Sequence, residues 1–275
     1  MTIPSTTMLP ATRVLELERQ GAQLFVTMND PATRNALSAT MLEDLEAVLA
    51  ATRDDRTLRA LVLQGCDGMF CAGGNLKGAF GEAAPAAGAR DPVHEENQRG
   101  GRLFHDLNRH PMAVIALVDG PAMGGGLGLA CCADIVITTP RARFALSETC
   151  LGLTPAQIAP FVINRIGLAT ARRLALTGAR FDGAVAAAIG LSDHHCESPE
   201  RAGDTVRGLL AEIGRCGPHA NAVTKALLLD VAAINRDDLI QRAADAFTAC
   251  LRSEEGREGI AAFIDKRRPI WADSA

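Results

Sequence analysis

The stretch "GPAMGGGLGLACCAD" (residues 120–134) sets three consecutive glycines between two apolar runs. The run before it, "MAVIALVDG" (112–120), has the length and β-branched content of a buried strand. The run after it reads as a short apolar helix. A GxGxxG fingerprint does not fit glycines at 124, 125, 126 and 128, and "GGNLKGAF" (73–80) lacks the Gly-Lys-Ser/Thr ending of a Walker loop. What remains is a strand, then glycines, then a helix start. Free N–H groups point outward there, and the helix dipole favours negative charge. Glycine lets a ligand approach such donors closely. A tight strand-to-helix turn with close helix packing accounts for the same residues equally well.

Outward from this segment the pattern alternates. A strand is expected at "QLFVTMN" (23–29), a helix over 38–55, and a strand at "LRALVLQG" (58–65). Ser38 can cap the helix, with Met41, Leu42, Leu45, Val48 and Leu49 on one face. A loop at "MFCAGGNLKG" (69–78) leads into the Ala-, Gly- and Pro-rich segment 79–92, read as mobile. A helix over 94–109 and the strand 112–120 follow. After the glycines come the short helix, a strand at 134–139, and "ARFALSETCLGL" (142–153). From Pro155 onward the pattern reads as almost wholly helical. Strand–helix alternation predicts α/β layers with crossovers. Residues 1–200 form the expected core, and residues 201–275 a helical cap or assembly region.

Composition narrows the class. The 275 residues are 48% hydrophobic, enough for one large core. Aromatics are 4%, with one Trp and no Tyr, which argues against base stacking. The net charge of −4 offers no basic field for nucleic acid or an anionic membrane. Eight cysteines (66, 71, 131, 132, 150, 196, 216 and 250) form no CxxC pair, which fits reduced thiols in a cytoplasmic protein. Cys131 and Cys132 read as small packing residues. No apolar stretch has membrane-spanning length, and residues 1–12 do not read as a signal peptide. His194, His195 and Cys196 have no neighbours at zinc-ligand spacing, so they read as a loop and no metal is expected.

A second glycine-bearing loop, "FCAGGNL" (70–76), also follows a buried strand. Two such loops can each give one backbone N–H to a single carbonyl oxygen, the design of an oxyanion hole. "FALSETCLGL" (144–153) adds Glu148 among apolar residues, where a carboxyl can have a raised pKa and carry protons. Taken alone, Glu148 reads as well as a helix-start carboxylate or an ion-pair partner.

These segments, in this order, resemble the crotonase (enoyl-CoA hydratase/isomerase) superfamily, from "NDPATRNALS" (29–38) to "AFIDKRRPIW" (262–271). The resemblance implies a ββα superhelix with a C-terminal helical trimerisation region, in trimers or dimers of trimers. It places the oxyanion donors at Gly74 and Gly125. It places Ala36, Ala72, Asn75 and Leu76 along the acyl-CoA site and Lys266 on the CoA phosphates, often across a subunit boundary. Coenzyme A is then part of the substrate, and no separate cofactor is implied. Typical hydratases of the family carry two catalytic glutamates; one matches Glu148, and the other position is Gly128. Asn75 also stands where an Asp is frequent. The run "SETCLGLTPAQIAPFVINRIG" (147–167) resembles hydratases of branched glutaconyl thioesters, isohexenylglutaconyl-CoA and 3-methylglutaconyl-CoA among them.

The resemblance therefore implies hydration of a 3-branched glutaconyl-CoA, with Glu148 moving water and proton. A double-bond shift or a decarboxylation on the same oxyanion hole is the competing chemistry. A non-catalytic acyl-CoA- or RNA-binding relative is the competing class, and the acidic charge balance weighs against RNA. Gly128 is expected to leave volume beside C3 for a branch. A substrate carboxylate would need a cation, with Lys77, Arg90, His94, Arg99 and Arg102 nearest in sequence.

Overall fold

The computed structural model describes residues 8–75, 91–231 and 233–272. Leu76, Lys77, Arg90 and most of the 79–92 segment lie outside the described residues. Strands β1 (Leu15–Gln20) and β2 (Gln23–Met28) form an antiparallel hairpin. Gly21, with φ of 59°, supplies the left-handed residue of its two-residue turn. From β2 the chain crosses over through α1 (Ala39–Thr52) to β3 (Ala60–Gly65), then through α2 (Pro92–Asn108) to β4 (Ala113–Val118). The strands β2, β3 and β4 run parallel, with Val26 opposite Leu63 and Leu63 opposite Ala116. Ser38 caps α1 as expected: its hydroxyl accepts from the Met41 amide at 3.2 Å.

The glycine segment holds β5 (Pro121–Met123) and α3 (Gly125–Cys132), followed by β6 (Ile135–Thr138) and β7 (Arg143–Ala145). The chain continues through α4 (Ala159–Ile166), α5 (Leu168–Thr177), β8 (Arg180–Asp182), α6 (Gly183–Ala188) and β9 (His194–His195). The main sheet has the order β1-β2-β3-β4-β6-β9, and a small sheet has the order β5-β7-β8. Two expectations change here. Residues 15–20 form a strand that "LELERQ" announces by its alternation, and His194–His195 form an edge strand rather than a loop, with the Thr138 hydroxyl 3.0 Å from His195 Nδ1.

The sheet is buried on both faces. Leu24, Val26, Leu61, Leu63, Val114 and Ala116 pack into the larger core with α1, α2 and α3. Ala60, Val62, Ile115 and Ile137 point the other way, onto Ala202, Val206 and Leu210 of α7 (Pro199–Gly214). The helices after it are α8 (Pro218–Asp230), α9 (Arg236–Arg252) and α10 (Glu254–Ile264). A Lys225–Asp134 ion pair at 2.7 Å and an Arg109–Asp230 pair at 2.6 Å tie α8 to the core. These helices expose large apolar side chains, among them Leu228, Phe247 and Phe263, the last 84% exposed. Among the described residues no helix is long and apolar enough to cross a membrane.

Candidate active site

The "FCAGGNL" loop is laced to β5. The Phe70 and Cys71 amides donate to Pro121 O at 3.1 and 3.0 Å, and the Met123 amide returns a bond to Cys71 O at 2.9 Å. On its other flank, the Leu37 amide donates to Gly73 O at 2.8 Å and the Ala72 amide to Arg34 O at 3.1 Å. Buried Asn35 shapes that flank: its Oδ1 accepts from the Asp30 amide and its Nδ2 donates to Met69 O, each at 2.8 Å. Segments 30–38, 66–75 and 120–128 thus converge, as the three motifs require. Ala36 is buried in this junction, and Ala72 and Asn75 are half-buried.

Close approach explains the glycines. At Gly73 (φ 94°), a Cβ would lie 2.7 Å from Met123 O and 3.5 Å from the Gly125 amide nitrogen. The two glycine loops are therefore in contact. Gly125 is the first residue of α3, so its N–H has no partner within the helix. Gly74 is exposed, with open space on its side-chain side. Neither amide donates a hydrogen bond among the described residues. Two unused donors therefore lie on adjoining loops.

Glu148 enters from the small sheet. The Gly124 amide bonds Ala145 O at 2.9 Å, which fixes the end of β7 against the start of α3. Three residues on, Glu148 opens a 3-10 turn (Glu148–Leu151). Its Oε1 lies 2.7 Å from where a Cβ on Gly124 would be. Its Oε2 is buried with no hydrogen-bond partner. Burial pushes the carboxyl pKa up, and a bond to its own backbone amide partly opposes this. A buried carboxyl oxygen without a partner, on a group whose pKa burial raises, marks Glu148 as a candidate for proton transfer.

Gly128 departs from expectation. The volume beside it is occupied: a Cβ there would fall inside contact distance of Ile158 Cγ2, 2.9 Å from Ile158 Cβ and 3.4 Å from Phe104 Cε1. The freed space is filled by a neighbouring side chain and is not open for a branch. Nothing at Ile158 or Phe104 in the sequence signals this role. The cation expectations also narrow. Arg99 is bound to Glu46, with Nε at 2.8 Å and Nη2 at 2.5 Å, and to Glu43 at 3.5 Å, so it serves α1 rather than a ligand. His94 and Arg102 are exposed on α2. Lys266 is exposed just past α10, with φ of 54°. A cavity of about 280 Å³ among Phe247, Leu251, Ile260 and Trp271 shares no residue with those loops. Among the described residues no group of three or more His, Cys, Asp or Glu side chains is placed to hold a metal ion.

Comparison with known proteins places the chain in a family. Residues 18–274 match the family model described as enoyl-CoA hydratase/isomerase. The chain belongs to this family; its fold is the crotonase fold, and it is an enzyme of the enoyl-CoA hydratase class. It is similar to the crystal structure of an enoyl-CoA hydratase/isomerase from Marinobacter aquaeolei, with 43% identity, a TM-score of 0.90, and 94% and 99% of the two chains covered. It is similar to Pseudomonas aeruginosa AtuE, with 45% identity, a TM-score of 0.89, and 94% and 100% coverage. Among curated relatives it is 31% identical to the mevalonyl-coenzyme A hydratase SIDH of Beauveria bassiana, over 91% of each chain.

Proposed function

We propose that this enzyme adds water across the 2,3-double bond of a 3-branched glutaconyl-CoA, such as isohexenylglutaconyl-CoA or 3-methylglutaconyl-CoA. The observation that carries the hydration chemistry is the buried, unpartnered Oε2 of Glu148, whose carboxylate stands over Gly124 next to the vacant Gly125 amide. The thioester carbonyl oxygen accepts both amides. Glu148 takes a proton from water as the water oxygen bonds to C3. The π electrons move onto the carbonyl oxygen, and the resulting enolate is held by the two N–H groups. Protonated Glu148 then delivers its proton to C2, which restores the carbonyl and the free carboxylate. One water is consumed and no separate cofactor is required.

The branched substrate with an acyl carboxylate is supported by the absence of a carboxylate at Gly128. Two carboxylates in a dry site would repel a third on the substrate, since like charges interact strongly at low effective dielectric. The relationship to SIDH, whose name denotes a thioester branched at C3, supports the branch but not the carboxylate. The exposed apolar faces of α8, α9 and α10 support a trimer or a dimer of trimers. In such an assembly Lys266 would meet the CoA phosphates across a subunit boundary. The test compares kcat/KM for 3-methylglutaconyl-CoA with that for crotonyl-CoA. The charged, branched substrate should be preferred by at least tenfold; preference for crotonyl-CoA overturns the assignment. A double-bond shift is the second reading, because one carboxylate can move a proton between carbons without water. Solvent oxygen appearing in the product separates the two.

A further inference from the structure

The Glu148 carboxylate stands over Gly124, and its backbone puts it there. Its Oε2 is buried without a partner, and the bond that the carboxyl does make goes to its own backbone amide. A carboxyl held in this way is aimed by the main chain that carries it. That main chain is a single 3-10 turn, Glu148–Leu151. The Cys150 amide bonds Ser147 O at 3.1 Å, the Gly152 amide bonds Thr149 O at 3.2 Å, and the Leu153 amide returns to Glu148 O at 2.9 Å. These bonds shape the turn without fixing where it sits. A turn this short has few bonds of its own, so its place depends on what it leans against.

It leans against the C-terminal end of α5. The Thr149 hydroxyl donates to Ala175 O at 2.7 Å. Ala175 lies in the last turn of α5, where a carbonyl finds no amide four residues further along the helix. Thr149 therefore satisfies an acceptor that the helix leaves open. Among the described residues this is the one side-chain hydrogen bond from the turn to another element. Beside it, Cys150 Sγ covers Gly178, which ends α5 with φ of 59°, and a Cβ at Gly178 would collide with the sulfur. The helix end is itself anchored, because Ala171 and Leu174 are buried in the core. The residue next to Glu148 thus ties the turn to a fixed support.

We propose that Thr149 is a positioning residue for Glu148: its hydroxyl bond to Ala175 O holds the turn against α5 and so keeps the carboxylate over Gly124. The inference rests on the reading of Glu148 as the proton carrier, and on nothing about the acyl chain. Its test measures kcat for wild type, Thr149→Val, Thr149→Ser and Glu148→Gln, on whichever of crotonyl-CoA and 3-methylglutaconyl-CoA wild type hydrates faster. Valine keeps the shape and removes the donor, whereas serine keeps the donor. Kd for butyryl-CoA, a saturated thioester, is measured by calorimetry, and Tm on the same preparations. Thr149→Val should lose about tenfold in kcat, part of the roughly 10²-fold that a misplacement of about 1 Å costs. Its Kd should hold. Its Tm should change little, because Thr149 is exposed and water can take the place of the hydroxyl at Ala175 O. Thr149→Ser should restore turnover. Thr149→Ala, which also lacks the donor, answers the same question should the valine enzyme not fold. Wild-type kcat in the enzymes without the donor overturns the proposal. So does a loss of kcat matched by an equal weakening of Kd, or a serine enzyme that stays as slow as the valine one, since either reports packing. An active Glu148→Gln removes the reading of Glu148 as the proton carrier. A dead Glu148→Gln beside a normal Thr149→Val leaves that reading intact and removes the role of Thr149.

Discussion

Gly124→Ala and Gly125→Ala add the same methyl group at neighbouring positions, and the structure assigns them different outcomes. Gly124 has φ of 48° and ψ of −114°, a conformation suited to glycine, and its Cβ would stand 2.7 Å from Glu148 Oε1. Backbone strain of this kind costs about 1–3 kcal/mol, which lowers Tm on the order of 5 °C in a chain this size. A relaxed contact needs about 3.5 Å, so the carboxylate must withdraw by roughly 0.8 Å. Misplacement of a reacting group by about 1 Å costs about 10²-fold in rate. At Gly125 the Cβ would be 2.7 Å from Leu37 Cδ1, the far end of a side chain that can rotate, and the backbone needs no positive φ.

The assay follows loss of the conjugated enoyl thioester under saturating substrate, with Tm measured on the same preparations. Gly124→Ala should lose about 10²-fold in kcat and keep most of its affinity for a saturated thioester. Gly125→Ala should stay within about tenfold of wild type, because its amide donor remains. A folded Gly124→Ala enzyme with near-normal kcat would mean that Glu148 does not act from this position. Equal losses in both variants would mean that the segment tolerates no side chain and reports nothing about the carboxylate.

Two further outcomes are expected. Glu148→Gln should abolish turnover, retain thioester binding and be more stable than wild type at neutral pH. Burial raises the folded-state pKa of Glu148, so the penalty is absent below the ordinary carboxyl value of about 4.3 and grows as pH rises through the folded value. Tm curves of the two proteins should therefore converge in acid; a gap independent of pH would remove the buried charge as its cause. Light scattering at micromolar concentration should give three or six copies of the chain, and a monomer would leave the apolar faces of α8 to α10 unexplained.

Much of the fold is readable because its strands are buried on both faces. The "ALVL" of β3 is a continuous apolar run, and the structure divides it, with Leu61 and Leu63 to one core and Ala60 and Val62 to the other. Helices with a clear apolar face, α1 above all, appear within a few residues of their expected bounds. The small-sheet strand β8 and the edge strand β9 do not announce themselves. They are three and two residues long, too short for a period of two to register. Their pairing is decided by neighbours: β8 by β7, and β9 by β6.

The site divides along the same line. Backbone requirements leave a local mark, so Gly73, Gly124 and Gly125 were legible as glycines before their neighbours were known. The absence of a carboxylate at Gly128 was legible too, but its meaning was not. An empty position suggests room, and the structure shows the reverse, because Ile158 from thirty residues further along closes it. Packing partners across a fold carry no spacing rule that a single sequence can display. With glycine and no carboxylate at position 128, the proposed reaction has Glu148 as base toward water and then as acid toward C2. A raised pKa suits a group that has to give its proton back. Ile158 packed on Gly128 leaves no space there for a second acidic side chain, so in the proposed reaction Glu148 serves both steps.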